Sequence, residues 1–213
     1  MSKANPKQLI VEGNDDIALI SSIMNKRIPK WKKNNRDYLV HIALADTEKS
    51  NGGKNKIDYK NVLRIAKSCT HLGIVTDADD DFSAAEQKIK NIIKDVESTL
   101  KENDLKLDFW IMPNNKDPGM IEDFALALIE ETSLLGYAGD VSQTAKQQHS
   151  APYKSAHNTK AVVRTWLAWQ DEPGIRMGNA VNNNIINAKA ADADKFVEWF
   201  CGFFELESSA EHE

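Results

Sequence analysis

Leu72-Gly73-Ile74-Val75-Thr76-Asp77-Ala78-Asp79-Asp80-Asp81-Phe82 is the stretch on which the reading of this chain turns. Leu72 to Val75 is a short apolar run of the kind a buried strand supplies. It leads into four carboxylates within five residues, Asp77, Asp79, Asp80 and Asp81. Like charges this close repel, and a folded chain holds them only with counter-charge or full solvation. One outcome is a solvated acidic turn. The other is a divalent cation. Ligands of open α/β sheets bind in the crevice at the strand carboxyl ends, and Mg²⁺ takes hard oxygen ligands, few of them from protein.

Outward from this stretch, the chain alternates between strand and helix patterns. Gln8-Leu9-Ile10-Val11 reads as a short buried strand ended by Glu12-Gly13. Asn14 is placed to cap a helix over about 15–25, with Ile17, Ile20 and Met24 at helical spacing. Tyr38 to Ala45 reads as a second strand, and Asp58 as the cap of a helix carrying Tyr59, Val62, Leu63, Ala66 and Cys69. After the acidic run, Ser83 and Glu86 have capping-box spacing and open a helix that reaches Leu100. Leu107 to Met112 is a fourth strand, and Asp117-Pro118 fits N-cap and first position of a helix to about Glu131.

This order predicts an α/β fold: a parallel four-stranded sheet sandwiched by helices, over a domain spanning residues 1–131. Parallel strands put Glu12, Asp46, Asp77 and the Pro113 turn on one edge. Glu12 with Asp77-x-Asp79-x-Asp81 can hold one or two Mg²⁺ ions, water and phosphate oxygens completing the octahedra. Residues 132–213 read as a helical extension packed on the same domain. Within it, 136–160 is polar and reads as a long loop or weak helix. Residues 161–169 form a helix, and Asp192 or Asp194 caps a last one. The aromatic stripe of that last helix, Phe196, Trp199, Phe200, Phe203 and Phe204, is expected in the core.

The bulk numbers bound the function. The chain has 213 residues, 41% of them hydrophobic and 28% charged, with a net charge of −5. That charge argues against a generally basic nucleic-acid binder but allows a local basic face. No apolar run is long enough to span a bilayer. The polar start shows no secretory segment. Cys69 and Cys201 lack metal-ligand spacing and read as reduced core residues, which points to the cytoplasm.

Val11-Glu12-Gly13-Asn14-Asp15 together with Val75-Thr76-Asp77-Ala78-Asp79 resembles the TOPRIM domain of topoisomerases, DnaG-type primases and OLD-family nucleases. The family signature is a Glu after the first strand and Asp-x-Asp after a later one. The resemblance covers about residues 8–131. Pro118-Gly119-Met120-Ile121-Glu122-Asp123-Phe124, Pro173-Gly174 and the closing aromatic helix look like small stand-alone TOPRIM proteins of uncharacterised function. The resemblance implies a Rossmann-like sheet and Mg²⁺- or Mn²⁺-dependent phosphodiester chemistry of the nuclease or nicking type. Glu12 would be a metal ligand or general acid/base, and Asp77 and Asp79 metal ligands. No P-loop is present, so an ATPase partner of the OLD kind would be a separate chain. Glu122 and Asp123 sit in a first helical turn, where the macrodipole alone accounts for them. OLD-type nucleases use an extra acidic residue in a later helix, which makes Glu122 a metal candidate.

Two rival readings of the acidic run make specific demands on its neighbours. An EF-hand loop needs Gly sixth and Glu twelfth; counted from Asp77 these are Phe82 and Lys88, so it fails. A haloacid-dehalogenase-like phosphatase also uses Asp-x-Asp after a strand, but there the motif usually opens the domain. It stays as a minor alternative. The competing class is a non-catalytic module that binds a metal–nucleotide or a protein partner in a larger assembly, such as one for phage defence.

Lys26, Arg27, Lys30, Lys32, Lys33 and Arg36, with Trp31 among them, form a basic segment without acids. Lys54 lies in a second Lys-rich loop. The plain reading of both is a solvated loop. Beside an acidic metal centre they would meet the phosphates of nucleic acid, DNA more than RNA, and Trp31 would stack on an unpaired base.

Overall fold

The computed structural model describes residues 6–32, 38–45, 57–101 and 104–207. Four strands, β1 (Lys7–Val11), β2 (His41–Leu44), β3 (His71–Asp77) and β4 (Lys106–Met112), make one sheet in the order β2-β1-β3-β4. Every pairing is parallel. The helices between them are α1 (Asn14–Arg27), α2 (Tyr59–Ala66) and α3 (Phe82–Thr99). The alternation seen in the sequence thus yields a Rossmann-like α/β sheet. The chain winds outward from β1 to β2, then crosses back to lay β3 and β4 on the other side. The winding reverses between β1 and β3, the place where such sheets bind ligands.

Strand side chains alternate between faces, and the two faces have separate cores. Leu9, Val11, Val75, Trp110 and Met112 pack with Leu19, Ile20, Ile23 and Met24 of α1. Ile10, Leu72 and Ile74 pack instead with Val62 and Ile65 of α2 and Ile89, Ile92 and Val96 of α3.

The remaining helices are α4 (Ile121–Ala127), α5 (Ser133–Gln148), α6 (Asn158–Ala168), α7 (Met177–Asn182) and α8 (Asp194–Phe203). They join the first core: Phe196, Phe200 and Phe204 are fully buried in it, as the aromatic stripe predicts. Two glycines permit the fit. A Cβ at Gly178 of α7 would lie 2.6 Å from the Ala18 carbonyl oxygen of α1. A Cβ at Gly73 of β3 would lie 2.8 Å from Leu9 Cδ1 and 2.9 Å from the Phe204 ring.

Several local expectations are corrected. Gly13, not Asn14, is the N-cap of α1. Asp81, not Ser83, caps α3, its carboxylate accepting the Ala84 N–H at 3.0 Å. Asp117 and Pro118 stay in the preceding turn, where Asn114 Oδ1 accepts the Asp117 N–H; α4 begins at Ile121 and ends at Ala127. Residues 133–148 form a full helix, its Ala138 and Ser142 buried. The last helix follows Ala193, and Asp194 is its first residue. His41, the first residue of the edge strand β2, is exposed. Among the described residues no helix is long and apolar enough to cross a membrane.

Candidate functional site

Register brings the two motifs together. Ile10 pairs with Ile74, so two residues on, Glu12 stands beside Thr76 at the carboxyl edge. The Thr76 hydroxyl donates to Glu12 Oε1. Asp77 ends β3, and its Oδ1 accepts the N–H of Ile121, the first residue of α4, at 2.9 Å. The helix start offers an unpaired amide there, and Asp77 satisfies it.

Two further carboxylates close in. Asp16 lies in the first turn of α1, 8% exposed, and its Oδ2 accepts the Gly13 N–H at 2.9 Å. Glu122, in the first turn of α4, is 2% exposed. Burial first, and then the charges of Asp16, Glu12 and Glu122, push the Asp77 carboxyl up to about 8, with the Ile121 N–H opposing the rise. Asp16 is pushed up to about 6, again chiefly by burial, with the Gly13 N–H opposing and Glu12 and Glu122 adding to the rise. Four carboxylates therefore feel one another in a place short of water. Such a group gains by taking up positive charge: a proton, an ammonium or a metal ion.

A cleft of about 330 Å³ opens on this edge, lined by Glu12, Thr76, Asp77, Asp79, Asp80, Asp81 and Lys88 among others. Its floor is braced by two loops. Asp79 has φ 49°, and its carbonyl accepts the N–H of Gly119, which has φ 141°. Asp79 and Asp80 reach solvent. Asp81 lines the same cleft but spends one oxygen on the α3 cap. Asp123 accepts the Met120 N–H at 2.7 Å, which accounts for it as a cap.

The donor set is all hard oxygen. Glu12 and Asp77 each give one carboxylate oxygen to a protein donor, and among the described residues no donor to the other is seen. Among the described residues no three His, Cys, Asp or Glu converge as a finished metal cage. Mg²⁺ retains several waters and is often held by one or two carboxylates. The residues thus suit a partly hydrated hard cation and do not suit a closed, all-protein site.

The basic segment is elsewhere. The 14 residues of α1 span about 21 Å, so Lys26 to Lys32 lie at the opposite, amino edge of the sheet. Trp31 is 2% exposed, packed on Tyr38 and Phe200, and has no face to offer a base. Arg27 is buried, with hydrogen bonds to the Ala188 carbonyl at 3.1 Å and Asp194 at 2.7 Å. Lys26 binds the Asn182 carbonyl and Asn184. Lys30 and Lys32 are exposed at that far edge, Lys32 over the Tyr38 ring. Lys33, Arg36, Lys54 and Asp46 lie outside the described residues.

The cations near the acidic edge are others. Lys88 of α3 lines the cleft. Lys160 of α6 holds its Nζ 2.9 Å from Glu122 Oε1, and Arg164, one turn on, pairs with Asp15. Asp16 could have been found from the sequence: it stands four residues after Glu12 and continues the apolar stripe of Leu19, Ile20 and Ile23, where a carboxylate is out of place. Lys160 carried no such signal, since its partner is remote in sequence. No curated protein and no solved structure matches the chain. The chain belongs to the family described as protein of unknown function, DUF3226, whose model matches residues 6–205.

Proposed function

We propose that this protein is a TOPRIM-like phosphodiesterase that uses Mg²⁺ or Mn²⁺ to cut or nick nucleic acid, DNA in preference to RNA. The observation that carries the reading is the meeting of Glu12 and Asp77 at the reversal point of the sheet, in a carboxylate group whose burial favours a cation. Glu12, Asp77 and Asp79 would hold the ion. A bound ion of this type lowers the pKa of its water and offsets charge on phosphate oxygens. Thr76 orients Glu12 through its hydroxyl, the Ile121 amide fixes Asp77, and the Asp79–Gly119 pairing sets the loop. Glu122 and Asp16 add negative potential from behind.

One observation favours a second reading. The carboxylates do not converge as a finished cage, which suits a non-catalytic module that binds a metal–nucleotide or a protein within a larger assembly. Turnover separates the two. Supercoiled plasmid and single-stranded DNA, incubated with Mn²⁺, should be nicked by the wild type and not by Glu12→Gln. Equal, zero cleavage by both, with the protein folded and metal-bound, would leave the binding module.

A further inference from the structure

Of the four clustered carboxylates, Glu122 is the one held in an ion pair by a side chain from the C-terminal helices. Its side chain is 2% exposed, whereas that of Lys160 is 48% exposed. The two partners are thus unequal. Glu122 is fixed in place and starved of water, so it needs a cation at all times. Lys160 reaches it on a flexible four-carbon stem from solvent, and its ammonium loses little by returning there. The backbone that carries Lys160 is anchored: Val162, Val163, Trp166 and Leu167 of α6 are buried in the core. Arg164, one helical turn away on the same face, makes a second and more exposed pair with Asp15.

We propose that Lys160 is an exchangeable counter-ion. It balances Glu122 while the acidic edge lacks metal, and a divalent cation entering beside Asp77 displaces it toward the phosphate of the substrate. The inference rests on the metal-dependent reading above and deepens it by assigning a substrate-phosphate contact to the C-terminal helices. Glu122 directly follows Ile121, whose N–H donates to Asp77 at 2.9 Å, so the charge of an ion held at one carboxylate weakens the hold of the other on an ammonium. Metal and polyanion should then bind with positive coupling, each favouring the same rearrangement.

Two measurements on the full chain test this. The first is calorimetric titration of Mn²⁺ into wild type, Lys160→Gln and Lys160→Arg. Lys160→Gln lacks the competitor and should bind Mn²⁺ about fivefold tighter or more, the lower end of ordinary couplings. Lys160→Arg keeps a cation and should bind no tighter than wild type. The second needs no variant: acylation of Lys160 by an amine-reactive ester, read by mass spectrometry with Lys30, exposed at the far edge of the sheet, as reference. Its rate should rise severalfold on saturation with Mn²⁺. If wild type binds Mn²⁺ but Lys160→Gln binds no tighter, or the acylation rate does not move, Lys160 is a fixed structural partner; this inference falls and the metal reading stands. If wild type itself binds no Mn²⁺, the metal reading falls and takes this inference with it.

Discussion

Asp77 is a carboxyl group whose proton is hard to remove. Its ordinary range lies near 4, and the fold lifts it to about 8, with Asp16 lifted to about 6. Between roughly pH 4 and pH 8 the native state therefore keeps protons that the unfolded chain has lost. Stability must fall as pH rises through that window, the reverse of ordinary acid denaturation, at up to about 1.4 kcal/mol per pH unit for each group. Urea unfolding in excess chelator should accordingly give a higher midpoint near about pH 5.5 than near about pH 8.5. Asp77→Asn should remove most of that slope; a variant that keeps the wild-type slope would place the retained proton on another group. Gly119 is the second informative residue. At φ 141° it lies outside the range of other residues, and a Cβ there would sit 3.0 Å from both the Asp123 carboxylate and Pro113. Gly119→Ala should cost about 1–3 kcal/mol in thermal stability and loosen the loop bearing Asp79. Glu12 and Asp77 were legible in the sequence because each follows an apolar strand run, so alternation alone puts them on one edge. Asp16 was less legible, although it continues the stripe of Leu19, Ile20 and Ile23, because an acid in a first helical turn is ordinarily accounted for by the macrodipole. The cap of α3 was misassigned for a local reason: Asp81 and Ser83 both have side chains able to cap, and the chain turns at the earlier one.

At the scale of elements, the length of α1 decides where nucleic acid can be met. A basic segment next to the acidic motif in sequence ends up across the sheet, because a helix of four turns intervenes. Lys30→Ala combined with Lys32→Ala should leave oligonucleotide affinity within about twofold of wild type. Lys88→Ala, in the cleft, should weaken it severalfold and reduce the salt slope by about one. Filter binding across a range of salt concentrations checks both, and the opposite ranking would move the interface to the amino edge. The strands were legible as apolar runs of the right length. The helix α5 was not: it carries Gly136 and Gly139, and its buried residues are the small Ala138 and Ser142. Its stability comes from packing against α6, a tertiary cause that local propensity does not record. The start of α4 was misplaced for a related reason. Asp117-Pro118 has good N-terminal chemistry, but the Ile121 amide is bound by Asp77 from another strand.

For the whole molecule, ligand and fold are linked by mass action. A cation that binds only the native state at a hundred times its Kd adds about 2.7 kcal/mol of stability. Mn²⁺ should therefore raise the Tm of wild type by several degrees. Asp77→Asn should lose most of that rise, and Asp80→Asn, which changes an exposed side chain, should keep it. Melts of the three proteins with and without Mn²⁺ decide this, and equal shifts in all three would remove the ion from Asp77. The α/β order was legible from end to end because strand and helix periods alternate cleanly. The packing of the C-terminal helices on the same domain was legible in the aromatic stripe of α8; the seat of α7 was not, since it rests on Gly178 lying against the Ala18 carbonyl.

The contact of Phe204 with Gly73 and Leu9 carries a consequence for synthesis. The centre of the sheet is sealed by a ring that the ribosome makes more than a hundred residues after β3. At roughly 5–20 residues per second, that interval is on the order of ten seconds. Until that ring arrives, the face of the nascent sheet bearing Leu9, Val11 and Val75 lacks part of its cover, even once α1 and the helices before α8 are made. The emerging polypeptide is then a natural client for a chaperone that shields apolar surface. A stalled chain ending before α8 should aggregate or be degraded, even though both acidic motifs have already left the exit tunnel.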